Sequence, residues 1–311
     1  MQDKDAEPVI LAENLSRRYG RVAAVADVSL SVRRGEVLAL LGPNGAGKTT
    51  TLSMLTGNLA IGGGRVALAG HDLLEAPREA RRSLGYLPEH PPVYPELTIR
   101  EYLAFCARLH RLPRPAVKKA VAEALERCGL GGMGGRLIGR LSKGYRQRVG
   151  LAQAVVHRPR ALILDEPSVG LDPAQVRATR RLIRELASDA AVIVSTHLLA
   201  EAAEVADRVA ILSHGRIVHQ SAPRDGALRL RLELENPPPR ERVAALPGVA
   251  RAETPRPGLF LLTVSPEADP RRALLEAALA GDWGLKALAP ERASLEETFM
   301  AAVTDAPGAA A

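Results

Sequence analysis

The segment Gly42-Pro-Asn-Gly-Ala-Gly-Lys-Thr49 constrains the fold more than any other part of this 311-residue chain. It has the pattern G-x-x-x-x-G-K-[ST], it follows the apolar run Val37–Leu41, and it opens a helical pattern over Thr49–Thr56. Glycines allow consecutive backbone N–H groups to face an anion, and the N-terminus of the following helix adds partial positive charge. The sequence therefore predicts a strand, a phosphate-binding loop and a helix, in this order.

A nucleoside triphosphate with Mg²⁺ is the ligand that this pattern predicts. The Lys48 ammonium can reach the β- and γ-phosphates, and the Thr49 hydroxyl can ligate Mg²⁺. The apolar run Ala161–Leu164 then leads into two acids. Asp165 is placed to hold Mg²⁺ directly or through water, and Glu166 to orient and deprotonate an attacking water. Two acids after a strand are weak evidence alone, but with the loop they predict triphosphate hydrolysis.

Strand and helix patterns alternate through the first two-thirds of the chain, which indicates an α/β domain. The apolar runs lack alternation, as in strands that are buried on both faces of a parallel sheet. The predicted strands are Val9–Leu15, Val28–Val32, Val37–Leu41, Ala161–Leu164 and Ala191–Ser195. The predicted helices are Thr49–Thr56, Ile99–Leu109, Pro115–Cys128, Ser142–Val156 and Pro173–Leu186.

The last third of the chain has a different pattern. We place a first domain at 1–220, a small C-terminal domain at 221–303 and a disordered tail at 304–311. Within the small domain the order βαββαβ favours a ferredoxin-like unit, followed by a short helix over Leu295–Ala302. Its predicted strands are 229–235, 249–254, 258–265 and 284–289, and its predicted helices are 239–246 and 270–280.

The net charge of +7 is concentrated in the first domain. Residues 1–220 carry 31 basic and 22 acidic side chains, whereas 221–311 carry 11 and 13. A basic domain suits nucleic acid, lipid headgroups or a polyphosphate ligand, and charge alone does not choose among them. Cys106 and Cys128 lack metal-ligand spacing, so we expect two buried apolar thiols.

No segment of the sequence resembles a leader or a membrane span. Met1–Pro8 carries four charges, unlike a signal peptide. The longest stretch without Asp, Glu, Lys or Arg is Thr49–Gly64, which falls short of the roughly 20 apolar residues that a spanning helix needs. We expect no direct insertion into a bilayer and a cytoplasmic location, at the membrane only where a partner holds the chain there.

A further segment, Leu141-Ser-Lys-Gly-Tyr-Arg-Gln-Arg148, lies before the strand that ends at Asp165. It resembles the LSGGQ-type signature of ABC ATPases, and the loop, the signature and the acidic strand follow one another as in that family. The resemblance implies a P-loop NTPase (RecA-like) α/β core with an N-terminal antiparallel β subdomain and a helical subdomain, followed here by a small α+β C-terminal domain. It also implies that two copies pack head to tail around ATP.

The resemblance assigns nucleotide contacts residue by residue. Tyr19 matches the aromatic residue that stacks on adenine, with a core tyrosine as the alternative. Asp172, in Ser168-Val-Gly-Leu-Asp172, matches the D-loop at the dimer interface, and His197 matches the switch histidine that contacts the γ-phosphate. The loop contacts are Gly42, Pro43, Asn44, Gly45, Ala46, Gly47, Lys48, Thr49 and Thr50. The signature contacts, made across the dimer to the other copy's ATP, are Ser142, Gly144 and Gln147.

One position departs from the usual pattern. The family places Gln at the site that Glu89 occupies in Leu84-Gly-Tyr-Leu-Pro-Glu89. A carboxylate can still ligate Mg²⁺ at the catalytic site, but it adds negative charge and cannot donate an N–H. With Tyr94-Pro-Glu-Leu-Thr98, this variant resembles the ATP-binding subunits of type-2 exporters and their gliding-motility and copper-oxidase-maturation relatives. The resemblance implies export through a separately encoded integral membrane permease.

The main alternative is a soluble ABC-type ATPase that acts on nucleic acid or ribosomes and uses the basic excess. The interval from Lys48 to Leu141 is too short for the long coiled coils of chromosome-maintenance relatives, and translation-factor relatives carry two ATPase domains. Aromatic residues make up 3% of the chain, which leaves no evident platform for base stacking. A GTPase or small-molecule kinase would leave the signature unexplained. We therefore expect no nucleic-acid partner.

Overall fold

The computed structural model describes residues 7–221, 228–265, 269–292 and 295–304. The chain divides into two compact units, of which one holds the described residues up to 221 and the other those from 228 to 304. The predicted tail, 304–311, lies outside the described residues apart from Thr304, which ends the last helix. In the described stretches, no helix is long and apolar enough to cross a membrane.

The first unit contains ten strands and seven α-helices within its described residues. The strands are β1 (Ile10–Tyr19), β2 (Val22–Val32), β3 (Val37–Leu41), β4 (Gly63–Leu68), β5 (His71–Asp72), β6 (Leu84–Leu87), β7 (Ala161–Asp165), β8 (Ala191–Thr196), β9 (Arg208–Ser213) and β10 (Arg216–Ser221). The helices are α1 (Lys48–Leu55), α2 (Pro77–Arg82), α3 (Ile99–Leu109), α4 (Arg114–Arg127), α5 (Lys143–Val155), α6 (Pro173–Ala187) and α7 (Leu199–Val205).

An antiparallel sheet with the order β2-β1-β4-β5 forms the N-terminal part of this unit, as the α/β prediction with an antiparallel subdomain requires. Strands β1 and β2 extend well beyond the predicted runs Val9–Leu15 and Val28–Val32. The additional pairs run from Arg17 with Val25 to Tyr19 with Val22. Register shifts separate them from the regular pairing at the start of β1. Such shifts break the regular alternation on which the sequence-based bounds depend.

A six-stranded sheet with the order β10-β9-β3-β8-β7-β6 forms the centre of the unit. All neighbours in it are parallel except β10, which is antiparallel to β9. Strands β3, β7 and β8 are buried along their whole length, which explains their unbroken apolar sequences. Leu41 pairs with Thr196, and Asp165 pairs with Ser195, so the carboxyl ends of these strands meet at one edge.

Helices α3, α4 and α5 form the predicted helical subdomain. Helix α3 begins at a capping box, in which the Thr98 hydroxyl accepts from the Glu101 amide and the Glu101 carboxylate accepts from the Thr98 amide. Cys106 and Cys128 are buried free thiols, as predicted. Burial raises the pKa of Cys106 to about 11 and that of Cys128 to about 12, so both behave as small apolar side chains.

In its described residues, the second unit has a four-stranded antiparallel sheet with two helices between its strands and one after them, in agreement with the predicted small α+β domain. Its strand order is β12-β13-β11-β14, and its succession is βαββαβ followed by α10. Its core includes Leu232, Phe260, Leu262 and Trp283. The elements are β11 (Leu228–Leu234), α8 (Arg240–Ala244), β12 (Val249–Arg256), β13 (Leu259–Val264), α9 (Arg271–Ala280), β14 (Leu285–Arg292) and α10 (Leu295–Thr304).

Candidate active site

The loop between β3 and α1 depends on glycine at two positions because its backbone passes close to neighbouring strands. A Cβ at Gly42 would lie 2.4 Å from the carbonyl oxygen of Leu212, and one at Gly47 would lie 2.4 Å from that of Ala24. Gly47 also has φ 105° at the N-cap of α1. A side chain at either position would displace the backbone that forms the cradle.

The Lys48 ammonium lies inside this loop and holds its shape. Its Nζ donates to the carbonyl oxygen of Gly42 at 2.7 Å and to that of Pro43 at 3.2 Å, and the residue is 8% exposed. Burial lowers the pKa of the amine, while the nearby carboxylates of Glu166 and Asp165 raise it. The charges of the predicted lysine and of the two predicted acids therefore act on one another, so the three side chains belong to one site.

The other predicted loop contacts differ in accessibility. The side chains of Pro43, Asn44 and Thr49 are exposed, and Thr50 is half-buried. Ala46 packs in the core, so a ligand can meet it through its backbone and not through its methyl group. The exposed Thr49 hydroxyl stands one residue beyond Lys48, at the first turn of α1.

Asp165 ends β7 as a buried carboxylate that is held by Ser195. The Ser195 hydroxyl donates to Asp165 Oδ1 at 2.5 Å and accepts from the Glu166 amide at 3.0 Å. Burial raises the pKa of Asp165, the Ser195 bond opposes this, and the charge of Glu89 raises the pKa further. Glu89 is exposed, and its charge acts on Asp165.

Glu166 combines an unusual backbone with a fixed carboxylate. Its φ of 48° lies in the left-handed region, where a residue with a Cβ is uncommon. The Ser195 carbonyl also accepts from the Glu166 amide, at 3.2 Å, so the next strand holds this conformation. His197 Nδ1 lies 2.9 Å from Oε2 and 3.1 Å from Oε1 of Glu166, and when Nδ1 carries hydrogen it donates to both. Strain of this kind is concentrated at functional sites.

The signature segment begins helix α5. Ser142 is the N-cap, and its exposed hydroxyl accepts from the Tyr145 amide at 3.5 Å, as the sequence predicts. Gly144 is buried against α6, where a Cβ would lie 2.3 Å from the Gln175 side-chain oxygen. The exposed N-terminus of α5 therefore offers a hydroxyl and partial positive charge to an anion outside the subdomain.

Gln147 does not suit the nucleotide contact that the sequence analysis assigns to it. It is 4% exposed, and its amide nitrogen has no hydrogen-bond partner among the described residues. Two residues separate the buried Gly144 from it along α5, so it lies on the inner face of the helix and not beside the exposed Ser142. We therefore assign Gln147 to packing of the helical subdomain.

Two further predicted residues are Tyr19 and Asp172. Tyr19 is 51% exposed, which excludes the core-tyrosine alternative, and the Arg17 guanidinium lies 5.5 Å from its ring centroid. An exposed ring backed by a cation is suited to stacking on a purine. Asp172 caps α6 by accepting from the amides of Ala174 and Gln175 at 3.0 and 2.9 Å.

Sequence reasoning missed two residues that organise this site, Ser195 and Glu201. Both residues lie close to His197 in the sequence. For Ser195, this closeness was the signal that could have indicated its role. Glu201 is 1% exposed, and its carboxylate accepts from the hydroxyls of Ser168 and Thr196. No sequence pattern indicates that an acid four residues after His197 is buried.

Comparisons with known proteins agree with this geometry. A family model described as "ABC transporter" matches residues 25–169. An uncharacterized ABC transporter ATP-binding protein of Bacillus subtilis, YdbJ, is 34% identical over 96% of both chains. Another from the same organism, YxlF, is 43% identical over 66% of this chain and 68% of its own. The structure of cbiO1 from Clostridium perfringens, part of the ABC transporter complex cbiONQ, superimposes with TM-score 0.65 at 28% identity, over 71% of this chain and 90% of its own.

Relatives of comparable identity have names with opposite transport directions. A Nod factor export ATP-binding protein of Burkholderia orbicola is 38% identical over 68% of this chain and 69% of its own. A spermidine/putrescine import ATP-binding protein of Acidothermus cellulolyticus is 38% identical over 71% of this chain and 59% of its own. Similarity to this chain is thus equally high for proteins named for either direction. This chain belongs to the ABC transporter ATP-binding proteins, a family of enzymes that bind and hydrolyse ATP.

Proposed function

We propose that this chain hydrolyses ATP with Mg²⁺ as a homodimer and drives export through a separately encoded permease, at the cytoplasmic face of the membrane. The observation that carries the proposal is the position of Glu166. Its carboxylate is held by His197, its amide is held by Ser195, and the buried Lys48 ammonium lies close enough to act on its charge. This is the arrangement that in-line attack of water on a γ-phosphate requires.

Each side chain at the strand edge has one part in hydrolysis. Lys48 balances the negative charge of the β- and γ-phosphates when its bonds to the loop carbonyls are exchanged for phosphate oxygens. Glu166 orients the attacking water and accepts its proton. His197 holds the Glu166 carboxylate through Nδ1, which leaves Nε2 for the γ-phosphate. Ser195 fixes Asp165 and the Glu166 backbone relative to each other.

The donor set at this edge fits Mg²⁺. Magnesium prefers one or two carboxylates completed by hydroxyl, water and phosphate oxygens, and Asp165, Glu89 and Thr49 supply oxygens of these kinds. Burial, and after it the charge of Glu89, raises the pKa of Asp165, and both causes favour a cation beside this carboxylate. Within the described residues no set of three or more His, Cys, Asp or Glu forms a metal site by itself, so ATP phosphates would complete the shell. Bound there, Mg²⁺ would neutralise phosphate charge.

A homodimer is supported by the exposed N-terminus of α5. Ser142 presents a hydroxyl and a helix N-terminus to solvent, whereas Lys48 is enclosed by its own loop. A second copy that docks head to tail would place this N-terminus on the γ-phosphate held by Lys48 of the first copy. ATP would then join the two copies, and hydrolysis would release them.

Glu166→Gln tests the dimer and the water-activating role together. Without a base the variant should bind ATP, turn over at least about 100-fold more slowly, and accumulate as a dimer in analytical ultracentrifugation with MgATP. Lys48→Ala in the same background is the control, since it should not dimerise. A Glu166→Gln protein that binds ATP but sediments as single chains would contradict the homodimer.

A permease contact is supported by the groove between α3 and α4. The groove has a volume near 770 Å³ and an apolar floor that includes Val117, Val121 and Leu125. Its rim is basic, with Arg100, Arg108, Arg114 and Lys118. An amphipathic cytoplasmic helix with acidic flanks would complement both features. The exposed Tyr94 and the half-buried Phe105, with ring centroids 5.9 Å apart, add an aromatic pair.

Ala122 allows this contact to be tested without disturbing the core, because it is exposed and lines the groove. Ala122→Glu should abolish co-purification of an integral permease from membranes while ATP hydrolysis by the isolated chain is retained. Ala116→Glu, at an exposed position of the same helix outside the groove, is the matched control. Equal recovery of the permease with both variants would place the contact elsewhere.

Export is supported by Glu89, by the Tyr94–Thr98 segment and by the additional unit, which we assign as an accessory domain at 221–303. These are the features by which the sequence resembles type-2 exporters. With its permease in inside-out vesicles, the chain should drive ATP-dependent uptake of the substrate into the lumen. ATP-dependent loss of preloaded substrate from such vesicles would instead indicate import.

A further inference from the structure

A buried carboxylate joins two segments that the mechanism treats separately. Glu201 lies in the first turn of α7 and is 1% exposed. One of its oxygens accepts from the hydroxyl of Ser168, in the segment Ser168–Asp172. The other accepts from the hydroxyl of Thr196 at 2.8 Å, directly before His197.

These bonds fix the positions of the two hydroxyl oxygens and also the directions in which their hydrogens point. An ionised carboxylate only accepts, so both Ser168 and Thr196 must donate to it. The Thr196 oxygen then keeps a lone pair for the Leu198 amide, which donates to it at 3.0 Å. His197 is thus held in a turn between Thr196 and Leu198, and the carboxylate sets the position of that turn.

A role in capping α7 does not account for Glu201. A capping acid accepts from backbone amides of the first turn, whereas both oxygens here engage side chains from other segments. Burying a charged carboxylate against neutral hydroxyls is also unfavourable compared with an apolar side chain of similar volume. The role of this arrangement is therefore to fix the positions of Ser168 and Thr196, and not to stabilise the seven-residue helix α7.

The Ser168–Asp172 segment also contacts the signature of its own chain. A Cβ at Gly170 would lie 2.2 Å from the Lys143 Nζ, and one at Gly144 would lie 2.3 Å from Gln175, in the first turn of α6. Because Gly144 packs against the first turn of α6 and Asp172 is the N-cap of that helix, a displacement of the signature would be passed through α6 to the Ser168–Asp172 segment. The chain of contacts runs from the signature through Ser168 and Glu201 to His197 and Glu166.

We propose that Glu201 is a positioning residue for ATP hydrolysis, which couples the placement of the Ser168–Asp172 segment to the His197–Glu166 pair. The inference rests on the ATPase activity of the chain and does not require the export direction or the permease. It assigns to Glu201 an effect on turnover with little effect on the binding of nucleotide at the Lys48 loop.

Variants of the two hydroxyls test the proposal, since Glu201 variants could fail to fold. Ser168→Ala and Thr196→Val should each lower kcat about tenfold, while the Kd for ATP stays within about twofold. The double variant should lose no more than about tenfold, because both changes break one chain of contacts. Ser168→Thr and Thr196→Ser keep the hydroxyls and should retain kcat within about threefold.

Glu204→Gln provides the matched control. Glu204 pairs with Arg180, so it also links α7 to α6, but its side chain is 61% exposed and does not contact His197 or its neighbours through this pair. It should leave kcat unchanged. An equal loss of kcat in Glu204→Gln, an unchanged kcat in folded Ser168→Ala, or a loss of about 100-fold in the double variant would each overturn the proposal.

Discussion

The loop around Lys48 and the segment around Ser142 are both built on helix N-termini, yet their own chain completes them to different degrees. Lys48 is buried, bonded to two loop carbonyls and close to two acids. Ser142 is exposed, and its hydroxyl has the Tyr145 amide as a 3.5 Å partner. The Lys48 half of the site is therefore complete within a single chain, whereas the Ser142 half is exposed to a neighbouring copy. Substitutions in the two halves should therefore affect different steps, which are ATP binding for Lys48 and turnover for Ser142.

Removing Lys48 should have the largest effect. Lys48→Ala deletes the cation that faces the phosphates and opens a buried gap in the loop, so kcat/KM should fall at least about 1,000-fold, and ATP binding measured by calorimetry should be lost. Lys143→Ala is the control, because Lys143 belongs to the signature and should leave binding by single chains intact. ATP affinity within threefold of the unmodified chain in Lys48→Ala would show that the loop is not the binding half.

Changing Ser142 should lower turnover without affecting the first half. Ser142→Asp keeps a good helix N-cap but brings a negative charge to the position that would meet a γ-phosphate, so we expect about a 100-fold loss of kcat. The Kd of single chains for ATP should stay within about twofold. Ser142→Thr, which keeps both the cap and the neutral hydroxyl, is the control. If Ser142→Asp abolished ATP binding by single chains, the two halves would not be separable.

Glu89 should tolerate replacement by the amide that the family usually carries. Glu89→Gln keeps an oxygen ligand and removes one negative charge beside Asp165, so turnover should stay within about threefold. The measurement is steady-state ATPase activity at saturating MgATP, with Asp165→Asn as a comparison that should be severely impaired. Complete loss of turnover with intact ATP binding would contradict a simple exchange of ligands.

The last effect concerns stability and not turnover, and it should appear at the far end of the signature helix. His157 follows α5, stacks on His110 at 3.5 Å, and lies 2.9 Å from the Leu84 carbonyl through Nε2. Burial, with the charge of His110, lowers the pKa of His157 from 6.5 to about 3. The unfolded chain therefore binds this proton more readily, and stability present above pH 6.5 is lost as the pH falls towards 3. From pH 7 to 5 the loss is about 2 kcal/mol.

His157→Gln should remove that dependence, because an amide can still donate to Leu84 but does not titrate. The free energy of unfolding, measured with urea at pH 7 and pH 5, should then change by about 2 kcal/mol less than in the unmodified chain. The exposed His71→Gln is the control and should keep the original pH dependence. An unaltered slope in His157→Gln would show that the ring titrates normally in the folded chain.

The residues that bind phosphate could be predicted because their chemistry is local. The Gly42–Thr49 spacing encodes a strand, a loop and a helix start, and Asp165 follows a short apolar run that favours a buried strand. The parallel sheet then aligns these ends without further information from the sequence. The N-cap role of Ser142 is predictable for the same reason, since capping is decided within four residues.

The residues that orient this chemistry could not be predicted, because their roles depend on contacts between distant segments. Ser195 meets Asp165 across a strand pair, and Glu201 in α7 meets Ser168 in the loop before α6. Gln147 was assigned to the nucleotide because its neighbours matched a family motif, but helical rotation places it inside. Likewise, the bulges that lengthen β1 and β2 interrupt the alternation from which strand bounds are read.

The bonds from Lys48 to the carbonyls of Gly42 and Pro43 have a kinetic consequence. A cradle that already holds its curvature does not need to search for it when a nucleotide arrives. Association should therefore run near the rate of diffusional encounter, with no lag from loop ordering. Stopped-flow fluorescence with a labelled nucleotide should show a single kinetic phase, whose observed rate constant rises linearly with the nucleotide concentration.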